Sequence, residues 1–231
     1  MFDELRQGVE EIASLTDPTV GEIRMGGSEH TISAIYSPVV HRFSGQYPRM
    51  SFHVTVGDLR TMSRELDARH IDFVVSRMYS PASEEHSVEV LFEDPLVVVT
   101  GPDNPLARRR KIEFAELLEE PWTLQPRENN FGSFAMDALH AAGLAPRITV
   151  ATTSSNLRGE MLATGRYLTM VPRYWVLLPR RHPSLRILPV DFPHTRLKVA
   201  IITLKNRSLS RATELFIDSV RALTKPLARK K

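Results

Sequence analysis

Between residues 21 and 43 the apolar positions change period once. Ile23 and Met25 alternate with Glu22 and Arg24, the two-residue rhythm of a strand. Gly26-Gly27 ends that rhythm. Apolar residues then recur at Ile32, Ile35, Tyr36, Val39, Val40 and Phe43, the spacing of a helix. Ser28 suits the N-cap, and Glu29 puts negative charge at the positive end of the helix dipole. Pro38 bends this helix without ending it, because the apolar stripe continues past it. A strand, a glycine turn and a helix N-terminus form an anion-binding geometry, since the first helical amides have no partner within the helix. Any strand–helix unit shares that geometry, so the turn alone does not establish a site.

The same alternation of periods runs down the chain. Residues 50–56 read as a strand, followed by a helix with Asp58 as N-cap and Leu59, Met62 and Leu66 on its buried face. Residues 71–75, apolar but for Asp72, read as a strand covered on both faces. Residues 89–100 hold a short strand and then a buried one from Pro95 to Thr100. Gly101-Pro-Asp-Asn-Pro punctuates the chain there, and a crossing into a second domain is expected. Beyond it come a helix at 112–118, a strand at 122–125 and a helix at 132–142 closed by Gly143 at C′. A strand at 148–152, a helix from Ser154 or Ser155 to Gly165, and strands at 167–171 and 185–190 follow. Residues 197–203 return to the first domain. The last helix, 210–223, carries Ala212, Leu215, Phe216, Val220 and Leu223 on one face. At the other end, Phe2, Leu5, Val9 and Ile12 have the seam spacing of a coiled coil, so residues 2–15 read as the end of a helix.

The order is α/β: two Rossmann-like subdomains, the second inserted into the first through a two-strand hinge. The expected division is 1–20 as the end of a linker helix, 21–100 with 199–231 as subdomain I, and 101–198 as subdomain II. Small ligands bind in clefts between domains and outside the carboxyl ends of strands. The residues at those ends are Ser28, Glu29, His30, Gly57, Asp58, Ser76, Arg77 and Thr100 in the first subdomain. In the second they are Pro126, Arg127, Asn129, Asn130, Phe131, Thr153 and Ser154. Hydroxyls, amides and two guanidiniums suit a small anion, above all a carboxylate, which arginine grips with two parallel bonds.

Composition removes other classes. The 231 residues are 42% hydrophobic and 25% charged, ordinary for a globular chain. There is no cysteine, which excludes a disulfide framework, a cysteine-ligated metal and a cysteine nucleophile. No apolar run reaches the roughly 18 residues of a membrane span. The first residues are too polar for a signal peptide, which points to the cytoplasm. The net charge of +3 is mild. The run Arg108-Arg109-Arg110-Lys111 reads as a solvated loop, and no basic stripe interleaved with aromatics suggests nucleic-acid binding. There is no P-loop, no Gly-x-Gly-x-x-Gly and no Gly-x-Ser-x-Gly, and the eight histidines lack metal-ligand spacing. The expectation is no catalytic residue, no cofactor and no metal. Glu29 and His30 are the pair to test first if the chain is an enzyme acting on a small acid.

In order and motif the chain resembles the effector-binding domain of the LysR-type transcriptional regulators. The resemblance rests on Gly21-Glu-Ile-Arg-Met-Gly, Phe43-Ser-Gly-Gln-Tyr-Pro, Glu65-Leu-Asp-Ala-Arg-His-Ile-Asp, Asn104-Pro-Leu-Ala, Glu120-Pro-Trp, Gly143-Leu-Ala-Pro and Met170-Val-Pro. It covers nearly the whole chain. It implies a type 2 periplasmic-binding-protein-like fold in a cytoplasmic regulator that binds a small inducer, often an organic acid, in its cleft. The family's pocket positions fall on the Ser28–His30 loop, Gly57-Asp58, Arg77, Asn130-Phe131 and Thr153-Ser154. It also implies a homodimer or homotetramer paired through the 32–43 helix and the neighbouring strand, with DNA bound only through a winged helix-turn-helix that would precede residue 1. A transporter's solute-binding protein of the same fold is the alternative. Two positions depart from the family. Arg69 and Tyr167 stand where glycine is usual, so the helix before Arg69 is expected to end differently and Tyr167 to narrow its side of the pocket.

Overall fold

In a computed structural model the chain is described over residues 20–178 and 185–228. The helix expected at 2–15 lies outside these residues, as does His182. Two compact units form. The first takes the chain up to Glu93 and again from Lys198, and the second is Asp94–Leu197.

The first unit is a five-stranded sheet of order β2-β1-β3-β10-β4. Its strands are β1 Val20–Gly27, β2 Arg49–Val56, β3 Phe73–Arg77, β4 His86–Asp94 and β10 Leu197–Leu204. β1 runs parallel to β2 and β3, and β10 runs antiparallel to β3. All five residues of β3 are buried, the apolar Phe73–Val75 and also Ser76 and Arg77, because helices cover both faces. On one face α2, Leu59–Asp67, sets Leu59, Met62 and Leu66 against Ile71, Val74 and Ile202. On the other, α1 (residues 29–46) and α7, Arg211–Ala228, bring Tyr36, Phe43, Phe73 and Phe216 together. Tyr36 meets Phe73 edge-on at 5.9 Å between centroids, and Phe43 lies 5.5 Å from Phe216. Within α7 the structure buries Thr213, Ile217 and Thr224 with Ala212, Phe216 and Val220, whereas Leu215 and Leu223 are half-buried.

α1 opens as Glu29–Thr31, passes through one π-turn at Ile32–Tyr36 and continues as Ser37–Gln46. In the π-turn the Ser37 N–H reaches back to the Ile32 carbonyl. Pro38 follows at once. It has no N–H to give and its ring crowds the carbonyl four residues back, so the wider turn absorbs the conflict and the helix goes on.

The second unit is a sheet of order β7-β6-β8-β5-β9. Its strands are β5 Leu96–Thr100, β6 Trp122–Leu124, β7 Ile148–Ala151, β8 Leu168–Pro172 and β9 Arg186–Ile187. Its helices are α3 Phe114–Leu118, α4 Asn130–Ala141, α5 Ser155–Ala163 and α6 Arg173–Leu177. β6 is parallel to β7 and β8, while β5 is antiparallel to β8 and β9. β9 is shorter than its apolar run suggested, since Pro189 brings no N–H to a ladder.

The first chain crossing differs from the expectation. It falls between Glu93 and Asp94, so β5 belongs to the second sheet and not to residues 21–100 of the first. The Gly101–Pro105 turn lies inside the second unit. A Cβ on Gly101 would come within 2.1 Å of the Leu162 carbonyl, and one on Gly165 within 3.0 Å of Asp103. The punctuation serves close packing rather than a hinge. Arg69 also corrects an expectation. It adopts φ 61°, with its N–H on the Leu66 carbonyl and the His70 N–H on that of Glu65. α2 therefore ends in the left-handed manner that glycine would favour, with an arginine in its place. Tyr167 is not among the residues with positive φ, so its backbone makes no demand for glycine.

Candidate functional site

Register brings the candidate turns after β1 and β2 to one level. Gly27 pairs with Val56 on one side and Val75 on the other, so β1 and β2 end together, two residues before the end of β3. Ser28–His30 and Gly57-Asp58 leave the sheet from that edge, while β3 runs two residues further, Ser76 and Arg77 pairing with Ala200 and Val199 of β10. The Gly57 N–H donates to the Gly27 carbonyl at 3.0 Å, closing the edge. Ser28 caps α1, its Oγ accepting the Thr31 N–H at 3.3 Å, and Asp58 caps α2 by accepting the Thr61 N–H at 2.8 Å. Each cap satisfies one early amide and leaves the preceding ones pointing out of the helix end. Glu29 is exposed and His30 is buried. The Ser76 hydroxyl is buried and donates to the Arg77 carbonyl at 3.2 Å. Arg77 is only 3% exposed, so a cation sits at the carboxyl end of β3. It hydrogen-bonds the phenol of Tyr79, whose pKa burial pushes up to about 12, leaving that hydroxyl neutral.

The second unit repeats the arrangement. Leu124 pairs with Ala151, and the Thr152 N–H donates to the Leu124 carbonyl at 2.9 Å, so the turns after β6 and β7 are neighbours. Asn129 caps α4 through the Gly132 N–H at 2.7 Å. Gly132 is required there, because a Cβ would lie 1.9 Å from the Pro126 carbonyl. Asn130 is half-buried and Phe131 buried. Thr153 is exposed, and Ser154 caps α5 through the Leu157 N–H at 3.2 Å. The Arg127 guanidinium pairs with Asp137 at 2.7 Å, both side chains exposed.

Thr100 does not join either group. It sits in the second unit, its hydroxyl donating to the Tyr167 carbonyl at 2.9 Å. It pairs with Leu168, which also pairs with Trp122 at the start of β6, so it marks the opposite end of that sheet from Asn129 and Ser154. A strand that runs antiparallel carries its carboxyl end the wrong way. Arg158 was not foreseen. Its guanidinium is buried, donating to the Thr152 carbonyl and to Ser155 Oγ, each at 3.0 Å, and so ties together the turn that carries Thr153 and Ser154. Nothing in the sequence marked it, since Leu157 beside it is the exposed residue. The Arg108–Lys111 run is a solvated loop as expected, with Arg109 on Glu116 at 3.2 Å and Lys111 on Glu113 at 2.6 Å. Among the described residues no three acidic, histidine or cysteine side chains are grouped to hold a metal, and no helix is long and apolar enough to cross a membrane.

The LysR substrate binding domain profile matches residues 16–225. The transcriptional dual regulator GltC of Bacillus subtilis is 22% identical over 91% of this chain and 70% of its own length. Two solved structures share the fold. The CcmR regulatory domain of Synechocystis, in complex with 2-PG, has a TM-score of 0.71 at 20% identity, covering 89% of this chain and 98% of that one. The effector-binding domain of QuiR, in complex with shikimate, has a TM-score of 0.67 at 15% identity, covering 90% and 98%. These neighbours carry the type 2 periplasmic-binding-protein-like architecture that the two sheets display. With a family match across most of its length, the chain belongs to the LysR substrate-binding-domain family and is the effector-binding domain of a LysR-type transcriptional regulator.

Proposed function

We propose that this domain senses a small carboxylate at the turns that follow its parallel strands, and performs no chemistry on it. The observation that carries the reading is Arg77, a buried cation at the carboxyl end of β3, two residues beyond the level at which β1 and β2 give way to two helix N-termini. Outward-pointing helical amides and a guanidinium in a desolvated setting favour an anion with two oxygens. Thr153, Ser154, Asn129 and Asn130 present hydroxyl and amide groups at the corresponding turns of the second unit. A ligand that prefers one conformation of the domain shifts the population toward it. In the regulator, a cytoplasmic homodimer or homotetramer, that shift alters how the DNA-binding ends are presented.

The test is a thermal-shift screen of small carboxylates against the domain. A ligand at about 100 times its Kd adds about 2.7 kcal/mol of stability, a rise of several degrees. The hit is then titrated into Arg77→Gln and Thr153→Ala, each of which weakens binding. Turnover of the ligand by the domain, or binding indifferent to both substitutions, overturns the reading.

A further inference from the structure

A groove of about 420 Å³ lies on the first unit, between the loop that leaves β3 and the strands β4 and β10. Its lining includes Met78, Tyr79, Pro81, Val88, Val90 and Lys198. β4 is the edge strand of its sheet, and Val88 and Val90, two apart and so on one face, are 40% and 47% exposed. The loop is held over them at its base, where the Met78 N–H donates to the Lys198 carbonyl at 2.8 Å. Met78 and Tyr79 are anchored from behind by packing on the α2 cluster. Glu89, between the two valines, faces the other way, where Arg221 holds it at 2.8 Å. No carboxylate lines the groove, and none among the described residues pairs with Lys198, which is exposed.

The chemistry of the lining is one-sided. Two valines and a methionine make an apolar floor about 7 Å long, two residues of strand. One ammonium stands at its rim with no opposing charge. The volume is in the range of small-molecule sites, which combine an apolar body with a few placed polar groups. We propose that this groove is a second ligand site, taking a small amphipathic carboxylate whose hydrocarbon body lies on Val88, Val90 and Met78 and whose carboxylate meets the Lys198 ammonium.

Hexanoate is the probe, with hexan-1-ol and hexylamine as neutral and oppositely charged controls, read by valine-methyl NMR on the whole chain. Hexanoate shifts the Val88 and Val90 methyls saturably, and hexylamine does not. Lys198→Gln weakens hexanoate about five-fold or more and leaves hexan-1-ol unchanged, as expected for loss of one exposed charge contact. Val90→Glu abolishes hexanoate binding. All these side chains are exposed, so unchanged melting curves certify the variants. The proposal is overturned if hexanoate up to about 10 mM gives no saturable shift at these methyls, if its shifts fall only on the strand-end turns, or if Lys198→Gln binds hexanoate as well as the parent.

Discussion

Arg207 sets its Nη2 2.8 Å from Asp72 Oδ1, and the same oxygen accepts from Arg24 Nη2 at 3.1 Å. One buried carboxylate thus serves two guanidiniums, while its other oxygen takes the Arg24 backbone N–H at 3.0 Å. The cluster joins β1, the start of β3 and the turn before α7. Removing the shared acid leaves two cations in a desolvated site. Asp72→Ala is expected to cost about 3–5 kcal/mol in urea unfolding, against less for Arg207→Ala, which leaves the Arg24–Asp72 pair intact. Equal losses in the two variants would show that the acid is not the hub.

Arg69 offers a gain. A non-glycine residue in the left-handed region carries a cost of about 1 kcal/mol. Arg69→Gly is expected to raise stability by up to that amount, partly offset by the freedom glycine adds to the unfolded chain. Arg69→Val should lower it, because branching at Cβ makes φ 61° harder to hold. Paired urea melts decide both.

Thr123 and Thr169 are neighbours on β6 and β8, both buried, and neither hydroxyl meets a hydrogen-bond partner among the described residues. A buried hydroxyl left unmatched costs about 1–3 kcal/mol, and an apolar group of the same shape removes that cost. The double variant Thr123→Val, Thr169→Val is expected to melt higher than the parent. A lower melting temperature would mean that the hydroxyls are satisfied in solution.

Glu89 gives a pH test. Its hydrogen bond from Arg221 holds its carboxyl below the usual range, and the contact is half-exposed. A depressed folded-state pKa contributes stability that is present above the unfolded value of the acid and lost as pH falls through the folded one. Glu89→Gln should therefore be less stable than the parent near neutrality, by no more than about 1 kcal/mol. The two curves should converge as pH drops below the ordinary carboxylate range.

What the sequence made legible was local. The switch of period at Gly26-Gly27 specified β1 and α1, and the caps at Ser28, Asp58 and Ser154 follow from a side chain and an amide three residues away. The apolar residues Phe73–Val75 of β3 told of burial on both faces. The same kind of run in β5 told of burial but not of which sheet, and Thr100 was misplaced with it. Pairing direction is a long-range property that hydrophobicity does not encode. Arg158 shows a second limit, since it lies buried while Leu157 is 45% exposed. The Asp72 cluster shows a third. Its arginines stand 48 and 135 residues away, beyond any local pattern.

The phenol of Tyr36 donates to the Gly26 carbonyl at 2.7 Å and accepts the Val75 N–H at 2.9 Å. A rung of the ladder between β1 and β3 is thus a side chain borrowed from the helix above. The spacing of β1 and β3 where Ser28 leaves the sheet is gauged by the reach of one aromatic ring. α1 cannot roll about its own axis without unfastening that rung. Shortening the ring by its oxygen, as in Tyr36→Phe, would leave an amide and a carbonyl facing each other across a space neither can bridge.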